Sequence, residues 1–232
     1  MKQFYRHRLP HWQPPGVAIF ITYRLFGSLP KEVLEQLAGE KQQLENEPSR
    51  TGESHRERAL RKGKKLFALG DNALDAALAG PKWLAQDDVA RIIIENLFHH
   101  AEQLYKLWAF VVMPNHTHVL VEPLILDACR DKEDDDANFI ALECITHSLK
   151  SYTAKRANTI LNRTGNFWQE ESFDHWARDD KEFERIAAYI ENNPVKAGLV
   201  DSAEKWEWSS AAFARNENGE CINRSASCFG TK

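Results

Sequence analysis

The stretch Met113-Pro114-Asn115-His116-Thr117-His118-Val119-Leu120-Val121-Glu122 sets two imidazoles two residues apart inside a β-branched, apolar run. Side chains at i and i+2 of a strand point to one face, so His116 and His118 lie side by side as a chelating pair. Phe110-Val111-Val112 before the pair and Val119-Leu120-Val121 after it are strand-forming by composition. The break at Pro114-Asn115 then makes Leu107 to Met113 the hairpin partner of the histidine strand. A His-x-His is also what a half-exposed sheet face without a metal would carry, since an imidazole titrates near ~6.5 and sits comfortably at strand edges.

Outward from this hairpin, Val17 to Tyr23 follows the breaker Pro14-Pro15-Gly16 and reads as a first strand. From Pro30 to about His100 the pattern is helical: Leu34-Glu35-Gln36-Leu37 opens one helix, Glu47 to Arg58 is a polar connection, and Leu60 to Leu78 forms a second. Val89, Ile92, Ile93, Leu97 and His100 recur at helical spacing. After the hairpin, Leu142, Ile145, Leu149 and Tyr152 form an apolar helix stripe, and Phe173 to Arg178 alternates as a fourth strand. A last helix begins near Asp179-Asp180 and is expected to stop at Asn193-Pro194, because the residue before proline is pushed out of the helical region. This order predicts a ferredoxin-like α+β fold. Its antiparallel four-stranded sheet has helices on one face, leaving the other open, and a helical insertion separates the first two strands. The expected organisation is one domain over 1–232, with the insertion at 30–85 and a C-terminal extension at 200–232.

Composition narrows the function classes. Of 232 residues, 43% are hydrophobic and 28% charged, ordinary values for a globular chain. No apolar run reaches the roughly 18 residues that span a bilayer, and no secretory signal opens the sequence, so a cytoplasmic protein is expected. Cys129, Cys144, Cys221 and Cys228 show no C-x-x-C spacing and read as reduced bystanders. The net charge is −4, but its sign is uneven: Arg56, Arg58, Arg61, Lys62, Lys64 and Lys65 oppose the acidic run Asp131, Glu133, Asp134, Asp135 and Asp136. Either cluster reads as a solvated loop or as a local steering field. Neither G-x-x-x-x-G-K-[ST] nor G-x-G-x-x-G occurs, so no phosphate loop for ATP is present.

In the last helix, Phe183, Ile186, Ala187 and Ile190 make the buried stripe. Tyr189 and Asn193, an i, i+4 pair about 40° apart around the axis, share its flank. A tyrosine there is more often a packed aromatic than a nucleophile. With the chelating pair, the chain resembles the single-tyrosine HUH transposases, the insertion-sequence-200-like family, and within them the REP-associated tyrosine transposases. The segments carrying the resemblance are MPNHTHVLVE at 113–122, GNFWQEESFDHWARD at 165–179, YIENNPVKAGLV at 189–200 and WEWSS at 206–210, with Arg8-Leu9-Pro10-His11-Trp12 at the start.

The resemblance implies that His116 and His118 bind a divalent metal, that Tyr189 is the nucleophile, and that Asn193 completes the metal site. A phenol attacking a phosphodiester would form a covalent 5′-phosphotyrosine and release a 3′-hydroxyl, conserving the bond for rejoining. Imidazoles alone suit Zn, Ni or Mn better than Mg; the resemblance points to Mg²⁺ or Mn²⁺. Glu122 and His175 are spare candidates for the same face. The implied partner is single-stranded or hairpin DNA, such as a palindromic repeat element, bound by a monomer or homodimer. Phe167 and Trp168 would then stack on bases and Lys150, Lys155, Arg156, Arg163 and Arg178 would meet phosphates, unless Trp168 is core and the cations a solvated helix face.

Other readings compete. Tyr152-Thr153-Ala154-Lys155 resembles the Y-x-x-K motif of rolling-circle replication initiators, although Tyr152 shares the apolar stripe of its helix and is expected in the core. A histidine-triad hydrolase needs a third imidazole at position 120, where Leu120 stands. A module that binds DNA hairpins without cutting them would have no need of all four of His116, His118, Tyr189 and Asn193. The insertion is expected to form a helical flap whose basic stretch, Arg56 to Lys65, clamps DNA.

Overall fold

The computed structural model describes residues 5–7, 9–11, 16–48, 50–76, 80–125 and 140–222. The acidic run at 131–136, Cys129 and Cys228 lie outside them. A short hairpin pairs β1 (Tyr5–His7) with β2 (Leu9–His11). The body of the fold follows as β3 (Ile19–Arg24), α1 (Lys31–Asn46), α2 (His55–Ala76), α3 (Asp87–His100), β4 (Tyr105–Val112), β5 (His116–Pro123), α4 (Leu142–Ile160), β6 (Phe173–Trp176) and α5 (Asp180–Lys196). The small pair β7 (Ala214–Arg215) and β8 (Cys221–Ile222) comes last. The main sheet runs β4-β5-β3-β6, antiparallel throughout. This is the expected four-stranded α+β architecture, with α1 and α2 inserted between the first two strands of the sheet.

Period-two alternation sorts the sheet residues into two cores. On one face Ile19, Ile21, Tyr23, Phe110, Val119 and Val121 pack with Ile93 and Leu97 of α3 and Ile145 and Leu149 of α4. On the other, Phe20, Val111 and Leu120 meet Ile190 of α5, with Phe183, Ile186 and Ala187 packed alongside and Phe67 of α2 closing the edge. The face expected to stay open is therefore covered by α5 and α2. The reason is compositional: Phe20, Leu120 and Val111 present an apolar surface too large to leave in water, and α2 carries Phe67 to help cover it.

Asp179 caps α5 by accepting a hydrogen bond from the Glu182 amide at 2.8 Å. The helix does not stop at Asn193-Pro194; it continues to Lys196 with Pro194 inside. The turn beyond proline is closed by the Ala197 amide donating to Asn193 and the Leu199 amide donating to Pro194. Gly198, at φ 70°, then ends it in the left-handed conformation.

Trp168 is core rather than a base-stacking surface. It is buried, its Nε1–H donates to Thr153 Oγ1 at 2.9 Å, and its ring meets Tyr23 edge-on at 4.8 Å. Phe167 is buried beside it, and the backbone of 167–169 is hydrogen-bonded to that of 24–26. Trp168→Ala is accordingly expected to cost about 3–5 kcal/mol of stability, read by urea unfolding; loss of DNA affinity with stability intact would contradict the packing role. At the opposite edge, the segment WEWSS runs along β4. Val112 donates to the Trp208 carbonyl at 2.8 Å and the Phe110 amide to Ser210 Oγ at 3.1 Å, so that edge is not left free to pair.

Candidate metal and tyrosine centre

The register of β5 puts His116, His118 and Leu120 on the α5 side of the sheet, and both imidazoles are fully buried. Their Nδ1 atoms are engaged away from the centre. His116 Nδ1–H donates to Asn115 Oδ1 at 2.7 Å, and the orientation of that amide follows from its Nδ2 donating to the Leu74 carbonyl of α2 at 3.0 Å. His118 Nδ1 meets Thr22 Oγ1 at 2.7 Å. The hydroxyl of Thr22 can give or accept this proton, whereas Asn115 Oδ1 can only accept, so His116 Nε2 carries a lone pair. Burial, followed by the charges of His118 and Lys196, holds His116 well below its usual range and keeps it neutral. The two Nε2 atoms face each other at 3.0 Å.

The insertion supplies the third donor. Asp71 of α2 is buried, and its Oδ1 lies 3.1 Å from His118 Nε2 without the alignment of a hydrogen bond. Asp75, one turn on, places Oδ1 at 3.9 Å from His116 Nε2. From α5, Tyr189 Oη donates to Asp71 Oδ2 and accepts from Asn193 Nδ2 at 3.5 Å. Lys196 Nζ sits 2.7 Å from Asp75 Oδ2 and 3.7 Å from Asp71 Oδ2, with the Tyr189 ring 5.4 Å away. The structure thus brings Tyr189, His116, His118 and Asn193 together.

These residues fit a divalent cation. Asp71, His116 and His118 offer donor atoms that all lie within 4.8 Å of one another. Two donors at about 2.1 Å from one ion and at right angles to each other are separated by about 3.0 Å, close to the 3.0 and 3.1 Å seen for Nε2–Nε2 and Nε2–Oδ1. Asn193 is fully buried and its Oδ1 has no hydrogen-bond partner, an orphaned acceptor of the kind a cation would satisfy. Two carboxylates also face a single ammonium here; burial chiefly, and the neighbouring Asp71, raise Asp75 above the usual carboxylate range. Asn115→Ala removes the acceptor that fixes His116 and is expected to weaken divalent-metal affinity about 10–100-fold. Titration calorimetry would show it, and unchanged affinity would count against His116 as a ligand.

The remaining candidates lie elsewhere. His175 faces Glu182 Oε1 at 3.2 Å, and Glu122 pairs with Lys106 at 2.8 Å. Lys150 donates to the carbonyls of Gln169 and Glu170, and burial lowers its pKa to about 8. Arg163 lies over the Trp83 ring at 3.9 Å and donates to Asn158 and to the Asn166 carbonyl. Arg178 forks onto Glu182. Only Lys155 and Arg156 are exposed without an ion pair among the described residues of that set, and they sit on α4, across the sheet from the histidines. Tyr152 is 52% exposed rather than core. It too belongs to α4, so the sheet separates it from the centre. Two cations of the basic stretch make internal pairs: Arg61 bridges Glu47 and Glu53, each at 2.7 Å, and Lys64 reaches Glu182 at 2.8 Å.

Asp71, Asp75 and Lys196 were not expected. The i, i+4 spacing of Asp71 and Asp75 does mark one face of a helix. Lys196 was hidden by ending the helix at proline.

An antiparallel four-stranded sheet with a buried His-x-His pair under a helix-borne tyrosine defines an α+β protein in which two imidazoles, a carboxylate and a phenol meet at one buried centre. Over 117 residues the chain is 28% identical to a Haemophilus influenzae protein named as a REP-associated tyrosine transposase, and the resemblance read from the sequence stands. That alignment covers 48% of this chain and 61% of the relative, so the chain matches about three fifths of the relative's length. A solved structure of a REP-associated tyrosine transposase bound to a REP hairpin aligns with 90% of this chain and 82% of its own at 18% identity and a TM-score of 0.45. No family model matches the chain.

Proposed function

We propose that this protein is a metal-dependent, single-strand DNA nicking and joining enzyme of the REP-associated tyrosine transposase type, acting on the single-stranded foot of DNA hairpins. The observation that carries the reading is the convergence of the Tyr189 hydroxyl, two imidazoles and Asp71 at one buried point. A phosphodiester in that place would be attacked at phosphorus by Tyr189 Oη. The P–O3′ bond breaks, the departing oxygen takes up one proton, equal in number to the one the phenol gives up, and leaves as a 3′-hydroxyl, and the 5′-phosphate stays on tyrosine. Asp71 Oδ2, which already receives the phenol's hydrogen bond, is the acceptor placed to take its proton. Asn193 Nδ2 orients the phenol oxygen, and Lys196, anchored on the two aspartates, adds positive charge where the attack builds a more negative phosphate.

His116, His118 and Asp71 would hold the ion, Mg²⁺ or Mn²⁺, with Asn193 Oδ1 as a further oxygen donor; when bound it supplies Lewis-acid polarisation of the phosphate. In this arrangement the histidines are shut from solvent. No described helix is long and apolar enough to cross a membrane, and the reading places the protein with cytoplasmic DNA.

The test is covalent capture. A pool of 3′-labelled hairpins with randomised single-stranded feet, incubated with Mn²⁺ or Mg²⁺, should give a labelled protein band that survives denaturing electrophoresis and vanishes with a chelator. Binding of the hairpins without any such band would leave a binding module in place of the enzyme.

A further inference from the structure

Beside Tyr189 the fold leaves a cavity of about 210 Å³ that the chemistry above does not use. Three aromatic rings wall it: Phe20 from β3, Phe67 from α2 and Phe173 from β6. Phe67 and Phe173 stack at 4.3 Å with 27° between their planes, and Phe20 stands edge-on to Phe67 at 5.3 Å. Unlike Trp168, Phe67 and Phe173 keep part of their surface exposed. Tyr189 itself forms one side.

The rim is cationic. Lys64 and Arg185 are exposed there, and Arg185 has no ion-pair partner among the described residues. The one carboxylate on the rim, Glu182, is buried and fully engaged by Lys64 at 2.8 Å, His175 at 3.2 Å and Arg178 at 2.6 Å. This knot ties α2, β6 and α5 together and fixes the aromatic wall, so the cavity is preorganised. Rigid aromatic walls beside a cationic rim suit a planar, uncharged group attached to a phosphate.

We propose that this cavity is a single-base subsite, which takes the nucleobase of the nucleotide adjoining the phosphodiester at Tyr189 while Arg185 meets the next phosphate. The inference rests on the nicking reading and adds to it a reason why the reacting nucleotide is unstacked from its neighbours. Stacking then aligns the strand for attack, so the cavity acts on the rate of adduct formation rather than on hairpin affinity alone.

The experiment starts from an oligonucleotide recovered in the covalent adduct of the randomised hairpin pool. Versions with an abasic site immediately 5′ or 3′ of the cleaved bond are compared with the intact strand. The wild-type protein should lose about tenfold in adduct rate for one of the two abasic positions. Phe67→Leu and Phe173→Leu, which keep apolar bulk and the fold but remove a ring, should shrink that penalty to near twofold. Circular dichroism and melting verify that each variant is folded. As a second readout independent of cleavage, 2-aminopurine at the same position should be quenched on binding to Tyr189→Phe protein and recover fluorescence when Phe67→Leu is added to it. An abasic penalty absent at both positions, or present but unchanged in folded Leu variants, overturns the subsite and leaves the nicking reading intact. Absence of any adduct from the wild-type protein overturns both.

Discussion

Tyr189→Phe is expected to lower covalent adduct formation by on the order of 10⁶-fold, below detection, while hairpin binding persists. A phenyl ring keeps the edge contacts of Tyr189 with Phe20 and Phe67 and loses only the oxygen. Losses of that size follow when the nucleophile of a covalent mechanism is removed, because no neighbouring group can replace the missing bond. The paired experiment is Tyr152→Phe, which should leave adduct formation within about twofold of wild type. Tyr152 sits on α4, whose neighbours are in the core on the opposite side of the sheet from His116 and His118. Adducts that survive Tyr189→Phe and disappear with Tyr152→Phe would transfer the reaction to the rolling-circle type of initiator.

The histidine pair was legible because a strand has a period of two: once 116–121 is a strand, no other arrangement puts both rings on one face. Tyr189 and Asn193 were legible for the matching reason on a helix. What stayed hidden were contacts whose partner carries no local signal. Asp71 meets Tyr189 across 118 positions, and nothing local in Gly70-Asp71-Asn72 distinguishes a ligand from a solvated acid. Trp168 follows a Gly-Asn turn that would serve a buried or an exposed ring alike; its fate is set by Thr153 on α4. Tyr152 shows how a stripe drifts. At 3.6 residues per turn it falls about 80° from Leu142, outside the arc about 120° wide that runs from Ile145 to Ala157, and Thr153 and Ala157 take the buried places. Within Arg56 to Lys65 the positive charge was visible, whereas the carboxylates of Glu47, Glu53 and Glu182, which engage Arg61 and Lys64, were not visibly close.

The second large effect concerns Asp71, where stability and metal binding should move in opposite directions. A divalent ion at a hundredfold excess over its Kd stabilises a protein by about 2.7 kcal/mol, and for a chain of this size that is a rise of about 5–10 °C in Tm. Wild-type protein should show this rise with Mn²⁺ or Mg²⁺, and His118→Ala should lose nearly all of it. Asp71→Asn should lose most of it as well, because an amide oxygen is a neutral and weaker donor. Without metal, however, Asp71→Asn should melt no lower than wild type. It removes one of two neighbouring buried carboxylates that compete for the single ammonium of Lys196, and a buried charge without full compensation is costly. A group whose neutralisation leaves the empty protein at least as stable, yet abolishes its response to a cation, is retained for the ligand rather than for the fold. If Asp71→Asn instead lowers the metal-free Tm by several degrees and keeps the metal-induced rise, Asp71 is a structural partner of Tyr189 and the cation is held by other groups.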